Sequence, residues 1–288
     1  MMQQRSLGKT GVSLSVVGFG AIVFLKEGPE FARNTVARAI DAGVNYFDMG
    51  PYGKGQAEEI AGLAIKPYRD RIFLAEKTGE RKKEGAAAGL RQSLERMRTD
   101  YFDLYQLHGV RTIEEVETIV GPGGALEAFV EARDAGLVRF LGFSAHSEET
   151  ALALMAHFNF DTVLFPVNYV CWYQGHFGPI VIDKAQENDM GILALKTLAK
   201  KPWTDGKRPE GSKTWYSPVD TYEEAKLALQ WTLSRPVTSC VCPGDVEYLW
   251  WMIDAEGEVA PLTAEEKAAI VNSTVDITPI FPMEPAKV

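Results

Sequence analysis

Cysteine is scarce in this chain: Cys171, Cys240 and Cys242 are the three among 288 residues. No pair has the two-residue spacing of a zinc ribbon or an iron–sulfur ligand set. Cys240 and Cys242 lie too close on an expected strand to bridge without distortion, so the thiols read as buried and reduced. Histidine numbers four. Neither His146 nor His176 is followed by a second ligand at metal spacing, and no metal site is expected. No apolar run approaches the ~18 residues of a membrane span. Basic residues are outnumbered, and a net charge of −9 with a pI near 5.1 argues against nucleic acid as a general partner. Met1 to Leu7 lack the apolar core of a signal peptide, and a reducing cytoplasm is the expected compartment.

What the chain does have is a 46% hydrophobic composition arranged as apolar runs alternating with helical patterns. That alternation reads as repeated βα units and a parallel sheet. Strands are expected near 16–19, 44–48, 71–76, 102–107, 138–143, 161–166, 190–195 and 238–242. Helices are expected near 31–43, 56–66, 84–98, 123–136, 147–158, 177–188, 221–235 and 245–255, with a further one near 264–272. Eight strands in a chain of this length suit one (β/α)8 TIM barrel, which needs roughly 250 residues. Residues 1–288 therefore read as a single domain. An alternating stretch from Arg5 to Leu14 around a glycine turn predicts an N-terminal β-hairpin closing the barrel bottom. Thr221 to Glu224 and Thr263 to Glu266 have capping-box form. Gly191, just before a strand, reads as a helix-end or turn residue. From Asp276 onward three prolines and no helical period predict a short extended tail. The connection from Lys200 to Asp220 is unusually long and follows the seventh strand, so it reads as a lid over the mouth.

Three strands end in an ionisable residue: Asp48, Lys77 and His108. Tyr52 follows the first of them by four residues. Consecutive parallel strands would bring all four to one mouth, where barrel active sites lie. An ammonium stabilises a neighbouring phenolate and lowers its pKa, an aspartate would hold the lysine charged, and the histidine could hydrogen-bond a substrate oxygen. Such a tyrosine is a candidate general acid.

The segments that carry these residues resemble the aldo-keto reductase superfamily. The resemblance lies in Asp41-Ala42-Gly43-Val44-Asn45-Tyr46-Phe47-Asp48 with Tyr52-Gly53 and Glu58-Glu59-Ile60-Ala61-Gly62. It continues in Ala75-Glu76-Lys77-Thr78-Gly79, in Asp100 to His108, and in Gly136 to Ser144. It implies an NAD(P)H-dependent oxidoreductase that reduces an aldehyde or ketone, including sugar-derived ones, to an alcohol. Tyr52 would be the general acid, supported by Lys77 and Asp48, with His108 orienting the carbonyl. It further implies a cofactor cradle of Gly20, Ala21, Ser144, Asn168, Leu195, Lys196, Pro243, Gly244 and Asp245, holding NADP or NAD. Phe24, Trp172, Trp203 and Trp215 are expected to face a small-molecule carbonyl or alcohol substrate. No nucleic-acid or membrane partner is expected, and the chain reads as a monomer or small homo-oligomer.

The chain departs from the family pattern at four places. The aspartate-to-tyrosine spacing is one residue short. Ala145 follows the fifth-strand serine where asparagine is usual. Leu164 stands at the sixth-strand glutamine position, and Leu195 where an aromatic would stack on nicotinamide. The eighth-strand loop, Pro243 to Trp251, contains no Lys or Arg. Asp245 or Glu247 there would repel a 2′-phosphate, whereas Lys200, Lys201, Lys207, Arg208 and Lys213 of the long connection could reach across. Two alternatives stay open: a cofactor-binding regulatory subunit, and a non-redox lyase or isomerase that uses the same acid/base groups.

Overall fold

The computed structural model describes residues 2–282. An antiparallel hairpin, β1 (Gln4–Ser6) and β2 (Ser13–Ser15), precedes β3 (Val17–Gly20), β4 (Tyr46–Asp48), β5 (Phe73–Thr78), β6 (Phe102–Val110), β7 (Val138–Ala145), β8 (Thr162–Pro166) and β9 (Gly191–Leu195). A two-stranded ribbon, β10 (Ala199–Pro202) and β11 (Tyr216–Pro218), comes next, and then β12 (Ser239–Val241). β3 to β9 and β12 are parallel and close into one barrel, with β12 pairing both β9 and β3. All eight expected barrel strands are present. The helices are α1 (Pro29–Asp41), α2 (Gln56–Ile65), α3 (Lys83–Met97), α4 (Ile113–Val120), α5 (Ala125–Asp134), α6 (Glu148–His157), α7 (Tyr169–Tyr173), α8 (Pro179–Glu187), α9 (Tyr222–Leu233), α10 (Val246–Glu256) and α11 (Ala264–Ser273).

Alternation along each strand sorts the side chains into two cores. Tyr46, Phe73, Ala75, Leu104, Leu164, Leu193 and Val241 point into the barrel, where Leu7 and Leu14 of the hairpin join them. Phe47, Leu74, Tyr105 and Phe143 point outward beneath the helices. The hairpin therefore plugs the barrel bottom. Gly191 opens β9 rather than ending a helix. A Cβ there would lie 2.3 Å from Leu7 Cδ1, so the glycine makes room for the plug. Leu7→Ala is expected to cost about 2–5 kcal/mol, read as a lower denaturant midpoint. Activity should persist in the folded fraction, because Leu7 is at the end opposite the mouth.

Three readings of the sequence need correction, and a fourth is refined. The 200–220 connection is not an irregular loop: its ends pair as the β10–β11 ribbon. Residues 113–120 form α4, capped by Thr112 accepting from Glu115 N–H. The Thr263–Glu266 capping box is reciprocal, but Glu224 accepts from Asp220 N–H instead of Thr221 N–H, so only half of that box forms. The extended tail from Asp276 is refined and not overturned: as far as it is described it lies against the barrel, with Ile280 and Phe281 buried. Phe281 stacks on Phe177 at 5.2 Å and meets the rings of His146 and Trp215.

Candidate active site

Register places three of the four expected residues together. Asp48 pairs with Ala75 across β4–β5, so Lys77 stands one inward step higher. Lys77 pairs with Gln106 across β5–β6, so His108 stands one step higher again. This climb is the stagger of a tilted barrel, and it delivers Asp48, Lys77 and His108 to one cavity at the strands' C-terminal ends, which Tyr52 also lines.

Asp48 is buried and accepts three hydrogen bonds. Lys77 Nζ donates to Oδ2, while Gln106 Nε2 at 3.0 Å and Tyr46 Oη at 3.2 Å donate to Oδ1. Gln106 and Tyr46 were not among the expected residues. Each sits two positions before His108 or Asp48, on the same inward face, and that spacing was the signal available. Burial pulls Lys77 down, but Asp48, with Tyr52 and Glu76 adding to it, holds the ammonium above its ordinary pKa.

The short Asp48–Tyr52 connection still reaches the site. Gly53, Lys54 and Gly55 all take left-handed backbone, with φ of 62°, 59° and 95°, turning the chain sharply after Tyr52. A Cβ at Gly50 would lie 2.8 Å from Tyr52 Cε2 and 3.2 Å from Lys77 Cγ, so glycine there leaves room for both the ring and the lysine stem. Tyr52 Oη ends 3.5 Å from His108 Nε2. The expected fall in the tyrosine pKa does not occur. Burial pushes it up, Lys77 pulls it down, and Asp48 and Glu76 add to the rise. His108 is pushed down to about 3, by burial first and then by Lys77, His146, Arg81 and Lys196. The imidazole is neutral and the phenol keeps its proton.

Of the expected cofactor residues, Gly20, Ala21, Ser144, Leu195, Lys196, Pro243 and Gly244 line the cavity. Asn168 does not: its Oδ1 caps α7 by accepting from Cys171 N–H, and its Nδ2 donates to Lys196 O. Asp245 lies just outside, with Oδ2 3.4 Å from Lys213 N. Lys213 lines the cavity, so the long connection does reach the strand-eight side, but its ammonium is held by Glu27 and the Val23 carbonyl. Leu164 also lines the wall, which leaves it apolar where glutamine was expected.

Of the four expected substrate aromatics, only Trp215 lines the cavity. Phe24 is fully buried against Phe19. Trp172 packs edge-on against Trp231, and Trp203 braces the ribbon by donating to Thr214 O. Residues the sequence reading did not assign to the site include Arg111, Thr214, Tyr216 and Cys242. The three cysteines are free and buried, and burial raises Cys242 to about 12.

A model of the aldo/keto reductase family matches residues 17–271. An oxidoreductase of Bacillus subtilis called YqkF, itself uncharacterised, is 34% identical over 308 aligned residues, covering 95% of this chain and 97% of the relative. An L-galactose dehydrogenase of Arabidopsis thaliana is 25% identical, with 99% and 96% covered. The solved holo form of the aldo-keto reductase AKR11C1 of Bacillus halodurans superposes with a TM-score of 0.75 at 25% identity, over 95% of this chain and 96% of that one. With the closed parallel barrel and the match over most of its length, the chain belongs to the aldo/keto reductase family of NAD(P)-dependent oxidoreductases.

Proposed function

We propose that this chain reduces an aldehyde or ketone, sugar-derived ones included, to an alcohol, with Tyr52 as general acid. The observation that carries the reading is the Tyr52 hydroxyl 3.5 Å from a neutral His108 imidazole, above the buried Lys77–Asp48 pair. A carbonyl oxygen received between Oη and Nε2 would take its proton from Tyr52. Lys77 stabilises the phenolate as that proton leaves, and Asp48 keeps Lys77 charged. His108 orients the oxygen and supplies no proton. The name of the Arabidopsis relative favours a hydroxylated substrate.

The residues present fit a nicotinamide cofactor. Glycines bring the ends of the first and eighth barrel strands close: a Cβ at Gly20 would lie 2.8 Å from Cys242 O, and one at Gly244 2.5 Å from Ile22 Cγ2. Gly20, Ala21, Pro243 and Gly244 would form the shelf, Leu195 an apolar wall, and the Ser144 hydroxyl a carboxamide partner. Ser144 Oγ already accepts from Gly109 N–H at 2.7 Å, which leaves its O–H free to donate. When bound, the cofactor supplies hydride to the carbonyl carbon. NADH and NADPH both stay as candidates: Asp245 disfavours a 2′-phosphate, and Lys213 would have to leave Glu27 and the Val23 carbonyl to serve one.

The test is titration of intrinsic fluorescence with each cofactor, followed by cofactor oxidation in the presence of small carbonyls. Binding of at least one cofactor and carbonyl-dependent oxidation are expected. Failure of both NAD(H) and NADP(H) to bind at millimolar concentration would remove the reductase reading.

A further inference from the structure

The cavity is cationic although the chain as a whole is acidic. Asp48 is its one acidic lining residue, against Lys77, Arg111, Lys196 and Lys213. Lys77 is paired with Asp48, and Lys213 with Glu27. Among the described residues no carboxylate pairs with the side chain of Lys196 or Arg111. Glu115, four residues after Arg111, takes Arg81 at one oxygen and the Arg111 backbone N–H at the other. Lys196 takes left-handed backbone, with φ 65°, and its ammonium lies 5.0 Å from the Tyr216 ring and 5.5 Å from that of Trp215. His146 lines the same side, and its Nδ1 is buried without a hydrogen-bond partner. A buried polar atom left unpaired is costly, so His146 is suited to a ligand that completes it.

His146 feels the two cations beside it: burial, Lys196 and Arg111 push it down to about 3. Burial with Lys77 lowers Lys196 to about 8. An anion here would meet two cations and an imidazole held neutral by them. The three groups come from the ends of the fourth, fifth and seventh barrel strands, the His108 side of the cavity. The glycine shelf is formed by the first and eighth.

We propose that Arg111, His146 and Lys196 bind an anionic substituent of the substrate, so that the carbonyl compound carries a carboxylate or a phosphate on the side away from the cofactor shelf. This moves Lys196 from the cofactor set to the substrate set, and it rests on the reductase reading given above.

The experiment compares matched probes in NAD(P)H oxidation: succinic semialdehyde against butanal for a carboxylate, and glyceraldehyde 3-phosphate against glyceraldehyde for a phosphate. At least one charged probe should exceed its neutral partner in kcat/KM by about 10-fold or more, the effect of one charge-assisted hydrogen bond. Which pair responds identifies the anion. Arg111→Ala and Lys196→Met should each lower that ratio by a similar factor, mainly through KM. Arg111→Lys should restore part of it. Fluorescence titration of each variant with cofactor should give an unchanged Kd. Neutral and charged probes used equally well would overturn the inference and leave the reductase intact. So would a ratio indifferent to both variants, or a cofactor Kd that rises as much as the KM. Absence of turnover with every carbonyl would remove both.

Discussion

Tyr52→Phe is expected to lower kcat for carbonyl reduction by about 10²–10⁴-fold, the usual contribution of a positioned acid, while cofactor affinity stays intact. Phenylalanine preserves the ring beside Gly50, so only the O–H is lost. No neighbour can replace it. His108, pushed down to about 3, carries no spare proton at neutral pH, and Lys77 is held charged by Asp48. The same assignment fixes the pH profile. A histidine acid would show a break in kcat near its ordinary value of 6.5, whereas here none is expected there. Because burial and Asp48 raise the phenol's pKa despite Lys77, the acid form persists into alkaline solution. A variant retaining wild-type kcat, or a wild-type profile that breaks near 6.5, would take the proton from Tyr52 and give it to another group.

Asp48→Ala should lower stability by about 3–5 kcal/mol, the cost of leaving a buried charge without its partner, and abolish turnover. Lys77 is 2% exposed, and Gln106 and Tyr46 donate to the same carboxylate. The substitution therefore strands one cation and two dipoles inside the barrel. The double variant Asp48→Ala, Lys77→Met should recover much of the stability, since no charge is then left unpaired, and none of the activity. Urea unfolding of the three proteins measures it. A single-variant loss below about 1 kcal/mol, the range of an exposed ion pair, would mean that water reaches Lys77 and that the pair does not work as argued.

The barrel was legible because each strand is an apolar run of about the right length between helical patterns, and because Asp48, Lys77 and His108 end three of them. What hid from the sequence depended on contacts between distant segments. Asn168 looked free to hold a carboxamide, yet it caps a helix only five residues long that no period announces. Phe24, Trp172 and Trp203 looked like mouth aromatics by position in loops, but which way a loop turns its side chains is set by partners such as Phe19 and Trp231. The ribbon escaped because its two strands lie 13 residues apart and each carries a proline. The fall expected for the Tyr52 pKa considered the lysine alone, whereas burial and the aspartate that neutralises that lysine decide the sign. α4 is different, since its Thr112-x-x-Glu115 start has the same form as two that were recognised.

Part of the mouth is built by a stretch that stands outside the ladder: Lys213, Thr214, Trp215 and Tyr216 line it. The β10–β11 ribbon pairs with no barrel strand, and Phe281 reaches His146, Phe177 and Trp215 from beyond α11. Part of the cavity wall is thus written in a stretch of chain separate from the strands that carry Asp48, Lys77 and His108. Drift in the ribbon or around residue 281 can reshape what enters without disturbing the stagger that aligns Asp48, Lys77 and His108. A lineage built this way can diversify its substrates while inheriting one acid unchanged.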